Sequence, residues 1–268
     1  MDLHSGEIHL FFASPEEISN IGLLSRYQSL LSDKELRQYS RFHFEQHRHQ
    51  YLVTRALIRS SLSSFYEVEP AQWCFDVNAY GKPSVASGHG VLPIRFNISH
   101  TDGLVMCGIV RDTEIGVDVE DIERITRADI HSLSSYFSPL EVAELKRLPK
   151  EKQKHRFFDY WTLKESYIKA RGMGLSLSLS QFSFVFEGNR LRDFFVEPEL
   201  NDDSTNWQFW RFAVRARYRV AVAVKSENRK IKISAYHSVP LESNDSFPLI
   251  FFKGGYGRAS DSFGAVKR

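Results

Sequence analysis

The order of apolar and polar positions along the chain predicts a mixed α+β protein. Ile8 to Phe12 is a short apolar run and reads as a strand. Ser32-Asp33-Lys34-Glu35 has the spacing of a capping box, in which the hydroxyl and the carboxylate satisfy the free N–H groups of a helix start. A longer helix is expected from about Glu45 to Leu62, with Leu52, Val53, Ala56, Leu57 and Ile58 on its apolar side. Trp73 to Val77 and Ile94 to Ile98 have strand character and are separated by loops rich in Gly, Pro and Ser. Leu104 to Val110 is continuously apolar, Arg111 to Glu114 turns, and Ile115 to Val119 alternates strictly. Ser138-Pro139-Leu140-Glu141 is a second capping box, with proline at the first helical position. The helix it opens stops before Pro149. A long helix follows from about Lys152 to Arg171, ended by Gly172-Met173-Gly174. Alternation at Phe182, Phe184 and Phe186, and within Trp207 to Val214 and Tyr218 to Val224, predicts antiparallel hairpins.

This order predicts an α+β fold of two units with similar content, meeting near residue 112, rather than the alternating βα units of a parallel sheet. The expected divisions are residues 1–112, residues 113–240 and a loose extension over residues 241–268, whose end is rich in Gly, Ser and charge.

Composition narrows the class. Of 268 residues, 42% are hydrophobic and 25% charged, as in globular domains. A balance of 35 Lys+Arg against 33 Asp+Glu leaves a net charge of +2, too small for a general nucleic-acid binder. No apolar run approaches the roughly 18 residues that span a bilayer, and the start, Met1 to Ser5, lacks the basic and then apolar pattern of a signal peptide. Cys74 and Cys107 lie in strand-like apolar surroundings and read as two buried thiols of a cytoplasmic protein.

Three carboxylates carry the candidate chemistry. In a strand over Ile115-Gly116-Val117-Asp118-Val119-Glu120, the apolar residues face a core while Asp118 and Glu120 share the other face, where Gly116 leaves room for an approach. By itself that face reads more readily as a solvated sheet face than as a site. In the long helix, Phe158, Trp161, Glu165 and Ile168 form one stripe, with Lys169 a turn beyond Glu165. A carboxylate beside Trp161 needs a partner, and three convergent oxygen donors suit Mg²⁺. Gly81-Lys82-Pro83 puts an ammonium in a tight loop, and Ser99 and His100 end a strand; both suit phosphate binding. Arg48, Arg55 and Arg59 form a helical stripe that is either a phosphate contact or a solvated face. The His43/His47 pair lacks the order of a zinc motif. Lys146 to Arg156 holds six basic residues and one acid, a solvated turn or a dock for an acidic partner.

Together these segments resemble the 4′-phosphopantetheinyl transferases of the surfactin-synthetase-activating (Sfp) type. The resemblance rests on Gly81-Lys82-Pro83, Phe96-Asn97-Ile98-Ser99-His100, Ile115 to Glu120, Phe137-Ser138, and Trp161-Thr162-Leu163-Lys164-Glu165-Ser166-Tyr167-Ile168-Lys169 running on to Gly174-Leu175. It covers roughly residues 40–186. It implies two α/β halves related by a pseudo-twofold axis with coenzyme A in the cleft between them. The implied reaction moves 4′-phosphopantetheine from coenzyme A to a serine of an apo acyl or peptidyl carrier protein, releasing adenosine 3′,5′-bisphosphate. By the same resemblance Asp118, Glu120 and Glu165 are magnesium ligands, Ser99, His100, Lys82, Lys164 and Lys169 contact coenzyme A, and Arg48 meets its 3′-phosphate. Glu165 is also the candidate general base and Lys169 the cation on the leaving group, so Glu165 is given two competing roles. The carrier, from fatty-acid, polyketide or nonribosomal-peptide synthesis, would present an acidic helix to Lys146–Arg156, and the enzyme would act as a monomer, with neither nucleic acid nor membrane as partner. The alternative is a non-catalytic module that only holds coenzyme A or a carrier.

Overall fold

A computed structural model gives the fold and describes residues 1–87, 93–124, 127–226 and 229–252. The chain opens with β1 (Glu7–Ala13), α1 (Ile21–Ser29), α2 (Asp33–Tyr39) and α3 (Glu45–Ser63). A short pair, β2 (Phe75–Val77) and β3 (Pro83–Val85), precedes β4 (Ile94–Thr101), β5 (Leu104–Arg111) and β6 (Ile115–Asp121). The helices α4 (Arg127–Ser134), α5 (Pro139–Arg147) and α6 (Lys150–Arg171) follow. The chain continues through β7 (Phe182–Glu187), β8 (Arg190–Val196), β9 (Trp207–Val214), β10 (Tyr218–Lys225), β11 (Lys232–Val239), β12 (Ser243–Ser246) and β13 (Ile250–Phe251). No helix among the described residues is long and apolar enough to cross a membrane.

One sheet has the order β12-β11-β1-β5-β4 and the other β13-β9-β10-β6. Their apolar faces stack, with Leu10, Phe12 and Met106 of the first against Val117, Phe212 and Val222 of the second. The outer face of the first sheet packs on α1 and α3 through residues such as Phe11, Tyr27, Val53 and Leu57. The outer face of the second packs on α6 and on the β7–β8 hairpin through Phe158, Leu163, Tyr167 and Phe209. The result is a mixed α/β arrangement in which each sheet has its own helical cover.

The two sheets are also stitched together along one edge. The side chains of Asn97, Ser99 and Thr101 on β4 accept hydrogen bonds from the backbone N–H groups of Val117, Val119 and Asp121 on β6, at 2.9, 3.2 and 3.3 Å. Donors on an edge strand that would otherwise be buried and unpaired are thereby satisfied without merging the sheets.

Both expected capping boxes form, at Ser32/Glu35 and at Ser138/Glu141. Each box glutamate has a second partner on the long helix of its half. Glu35 meets Arg55 and Arg59 of α3 at 2.7 and 2.6 Å, and Glu141 meets Lys164 of α6 at 2.7 Å. The same device, a capping carboxylate neutralised by a cation from the neighbouring helix, thus occurs once under each sheet.

Three expectations change. The division at residue 240 does not follow the sheets, because β11 returns to pair in parallel with β1, from Glu7 opposite Lys232 to Phe12 opposite His237. The start of the expected loose extension is ordered: β12 pairs with β11 and β13 with β9. Apolar partners such as Phe247 and Leu249, packed on the core between the sheets, hold it there. Residues 253–268 lie outside the described residues. Of the two cysteines only Cys107 is buried; Cys74, at the edge of the short β2–β3 pair, is exposed.

Candidate functional site

The side of β6 that bears Gly116, Asp118 and Glu120 faces α6. Gly116 does leave room for an approach, and what approaches is α6 itself: a Cβ there would lie 1.9 Å from the Ser166 carbonyl oxygen and 2.4 Å from Ala170 N. This contact seats the Trp161–Lys169 segment against the acidic pair. Trp161 Nε1 donates to Glu120 Oε1 at 3.0 Å, and its ring stacks on Phe157, which in turn stacks on Phe137.

Lys169 spans the seam between the sheets. Its Nζ donates to Asp118 Oδ1 at 2.6 Å and to Ser99 Oγ at 2.9 Å. Ser99 Oγ donates to the same Asp118 oxygen at 3.0 Å while accepting from Val119 N. One donor and two acceptances saturate that hydroxyl. The other Asp118 oxygen, Oδ2, is buried and has no hydrogen-bond partner among the described residues.

The remaining acids bear the marks of crowding. Burial first, and then the Asp118 charge, push Glu120 up to about 8; the Trp161 hydrogen bond and Lys169 oppose this, and Glu165 adds to it. Burial and Asp118 push Glu165 up to about 7, against the pull of Lys169. Three carboxylates therefore interact strongly on one face. As the side chains stand, no three His, Cys, Asp or Glu among the described residues close on a common point as a metal site does. The Lys169 ammonium, not a shared centre, holds Asp118.

A cavity of about 260 Å³ opens beside this cluster, lined by Gly81, Lys82, Asn97, Glu165, Lys169 and Gly172 among others. Three of the motifs read from sequence meet there. Lys82 Nζ caps the last turn of α6 on the Ala170 carbonyl oxygen at 2.7 Å and pairs with Glu114 at 2.7 Å. Asn78 Nδ2 adds a bond to the Gly172 carbonyl oxygen at 2.8 Å. His100, more than a third exposed yet set in a dense shell of protein, is held below its ordinary value by lost hydration and then by Lys169.

Other predicted residues lie elsewhere. Lys164 is fully buried, donates to the carbonyl oxygens of Leu179 and Phe182 at 2.7 and 2.6 Å, and pairs with Glu141. It ties α6 to α5 and β7 and does not face the cavity. Arg55 and Arg59, neither a solvated face nor open to a ligand, are committed to Glu35. Arg48 pairs with Glu45 on the half-exposed start of α3 and does not line the cavity. Sequence reasoning missed the Lys169–Asp118–Ser99 network, the Trp161–Glu120 bond and the Glu114 partner of Lys82. Only the first two had a signal, in the strand and helix periodicities that put those residues on facing surfaces.

Comparison with known proteins identifies the family. The description "4′-phosphopantetheinyl transferase superfamily" matches residues 114–223, and "4′-phosphopantetheinyl transferase, N-terminal" matches residues 22–109. The chain is 34% identical to the 4′-phosphopantetheinyl transferase HetI of Nostoc sp. over 177 residues, 66% of this chain and 73% of that protein. It is 31% identical to the 4′-phosphopantetheinyl transferase Sfp of Bacillus subtilis over 199 residues, 74% of this chain and 83% of that protein. Among solved structures, a holo-(acyl-carrier-protein) synthase of Bacillus anthracis, in complex with CoA (3′,5′-ADP), aligns with a TM-score of 0.34 and 18% identity, over 41% of this chain and 93% of that one. The chain belongs to the 4′-phosphopantetheinyl transferase superfamily and is an enzyme that transfers phosphopantetheine to carrier proteins.

Proposed function

We propose that this transferase takes 4′-phosphopantetheine from coenzyme A and places it, with Mg²⁺, on a serine of an apo acyl or peptidyl carrier protein. The observation that carries the reading is the Lys169 ammonium resting on Asp118 beside Glu120 and Glu165, at the edge of the cavity that Lys82 borders. The serine oxygen bonds to the phosphorus that bears the pantetheine arm. The bond from that phosphorus to the bridging oxygen breaks, and adenosine 3′,5′-bisphosphate departs with the electron pair. Glu165, raised to about 7 by burial and then by Asp118, takes the serine proton in its ionised form, directly or through a water. Lys169 turns from Asp118 to the departing phosphate and shares its charge.

The donor set fits Mg²⁺: all oxygen, with Asp118 Oδ2 buried and unpartnered among the described residues and with two acids made more basic by burial and then by Asp118. Asp118 and Glu120 would hold the ion once Lys169 leaves Asp118, with Glu165 beside them either as a third ligand or, left off the ion, as the base. Bound there, Mg²⁺ supplies a Lewis acid for the pyrophosphate. Ser99 and His100, at the end of β4, and Lys82 are the proposed phosphate contacts. Coenzyme A would lie where the two halves meet, the first built on the β1–β5–β4 sheet that β11 rejoins and the second on the β9–β10–β6 sheet. A pseudo-twofold relation between the halves is supported by the capping carboxylate neutralised from a long helix in each.

For the carrier, a groove of about 480 Å³ between α4, α5 and α6 has Ile130, Val142 and Leu145 among its lining, with Lys146, Lys150 and Lys154 at its rim. An acidic amphipathic helix matches that apolar and cationic lining. We infer a monomer acting in the cytoplasm, where coenzyme A is supplied and where Cys74 and Cys107 remain thiols. Incubation with coenzyme A, Mg²⁺ and a panel of apo carriers, read by mass, tests the reading. Gain of one phosphopantetheine arm on a carrier serine is expected; coenzyme A binding without gain on any carrier would reduce the protein to a holder.

A further inference from the structure

A second cavity, of about 350 Å³, lies on the other side of α6, and among the described residues it shares no lining residue with the one beside Lys169. Its walls carry Lys152, Arg156, Arg211 and Arg219 against one carboxylate, Asp159. Asp159 is already used: Arg211 Nη1 lies 2.8 Å from its Oδ2, and Arg156 Nε lies 3.7 Å from the same oxygen. Glu144, from outside the cavity, takes a second nitrogen of Arg156. Lys152 and Arg219 are left without an ion pair among the described residues.

Arg219 is held in place without being neutralised. Its guanidinium lies 4.9 Å from the centroid of the Phe252 ring. It donates to the Ala216 carbonyl oxygen at 3.3 Å and sits 3.0 Å from His155 Nδ1, a contact that asks for a neutral imidazole. Arg211 is fixed in the same way, 4.4 Å from the Phe186 ring centroid and 5.6 Å from that of Phe252, with its remaining arm on the Asn189 carbonyl oxygen. Aromatic faces and carbonyls orient these forks, yet Lys152 and Arg219 face the cavity with Asp159, already held by Arg211, as its one carboxylate among the described residues. In β10, Arg219 stands directly across from Glu120 of β6, but its guanidinium turns away toward His155.

We propose that this cavity is a binding site for a small phosphate-type dianion, either free phosphate or the phosphate end of a small monoester, held by Arg219, Lys152 and His155. A fixed guanidinium supplies paired donors and the lysine a point charge, the pairing by which proteins hold phosphate. A ligand there would bridge α6 to β10, on the helix that also carries Glu165 and Lys169.

The test is calorimetric titration of the full chain with inorganic phosphate and, separately, glycerol 3-phosphate, against chloride at equal ionic strength. Saturable phosphate binding is expected, roughly tenfold weaker in Arg219→Gln and in Lys152→Gln. Lys152 is exposed, so the second variant keeps its fold whatever happens to the first. Lys169→Met should bind phosphate as the parent does. A stronger response to glycerol 3-phosphate marks a monoester site and an equal one a free-phosphate site. No saturable heat with either ligand, the same heat from chloride, or binding lost in Lys169→Met but kept in both other variants overturns the proposal.

Discussion

Lys169 Nζ and Asp118 Oδ1 lie 2.6 Å apart, a contact that crosses from the last turns of α6 to the middle of β6. The ammonium stands on the carboxylate proposed for the metal, so metal and lysine compete for one oxygen. Lys169→Met removes the competitor together with the charge that helps the leaving group. Turnover should fall roughly 10²–10³-fold while the Mg²⁺ concentration for half-maximal rate falls too. A metal titration of initial rates separates the two effects, and a variant that needs more Mg²⁺ than the parent would remove Lys169 from competition with the metal.

Lys164 shares a motif with Lys169 but not its surroundings. Fully buried, it is held below its ordinary value by lost hydration, opposed by Glu141. Lys164→Met leaves Glu141 charged and buried, a loss of about 3–5 kcal/mol. Urea unfolding should register that loss, and Lys164→Met with Glu141→Gln should recover part of it. Coenzyme A affinity in whatever variant remains folded should be unchanged; a stable variant that no longer binds coenzyme A would instead make Lys164 a ligand contact.

Much of this arrangement can be read from local pattern. The strict alternation of Ile115 to Val119 placed Asp118 and Glu120 on one face, and the helical stripe through Trp161 placed Glu165 toward a neighbour. Period-two and period-3.6 patterns carry facing directions, so the acidic face and the helix that meets it were legible. Distances between elements are not. Nothing local says that β11 returns to β1, since a parallel pairing of residues 232–237 with residues 7–12 depends on the path of the whole chain. Nor does spacing show that Arg55 and Arg59 are consumed by Glu35, or Lys164 by Glu141, because each pairing crosses between helices. The capping boxes were visible, but their second role as counter-ions was not.

Glu35 gives the first half an acid-sensitive lock. Burial by itself would raise its pKa, but Arg55, the Ser32 N–H and Arg59 outweigh burial and hold it below the ordinary carboxylate value. A depressed folded-state value adds stability that is present above the unfolded pKa and lost as pH falls through the folded one. Thermal unfolding should show stability dropping as pH falls below about 4.5, with a shallower slope in Glu35→Gln. Equal slopes in parent and variant would assign the acid sensitivity to other carboxylates.

Gly116→Ala tests the seat of α6. The new methyl has no room, since the Ser166 carbonyl oxygen and Ala170 N are backbone atoms that no side-chain rotation can move. Either α6 shifts from β6 or the strand bends, at a cost of roughly 1–3 kcal/mol or more. The shift would also carry Glu165 and Lys169 away from Asp118, so turnover should fall further than the loss of folded protein explains. Rate per folded molecule, taken from activity and unfolding curves at one temperature, is the deciding quantity; full activity per folded molecule would mean that the register of α6 on β6 has slack.

The basic segment before and within α6 divides between two faces, which makes the proposed carrier dock testable by position. Lys146, Lys150 and Lys154 recur every fourth residue and rim the groove that includes Leu145, whereas Lys152 and Arg156 line the cavity on the other side of the helix. Charge reversal at Lys150 and Lys154 together should raise the KM for an apo carrier about tenfold or more, with the KM for coenzyme A unchanged, because charges at an interface act on encounter with the charged partner. Lys152→Glu, with half that change of charge a few residues away and as much as either single reversal, should leave the carrier KM within about twofold of the parent. Raising salt should weaken carrier binding to the parent more than to the double variant, since the attraction being screened is already gone. If Lys152→Glu matches either reversal on the groove side, the effect is one of overall charge and the groove is not the dock.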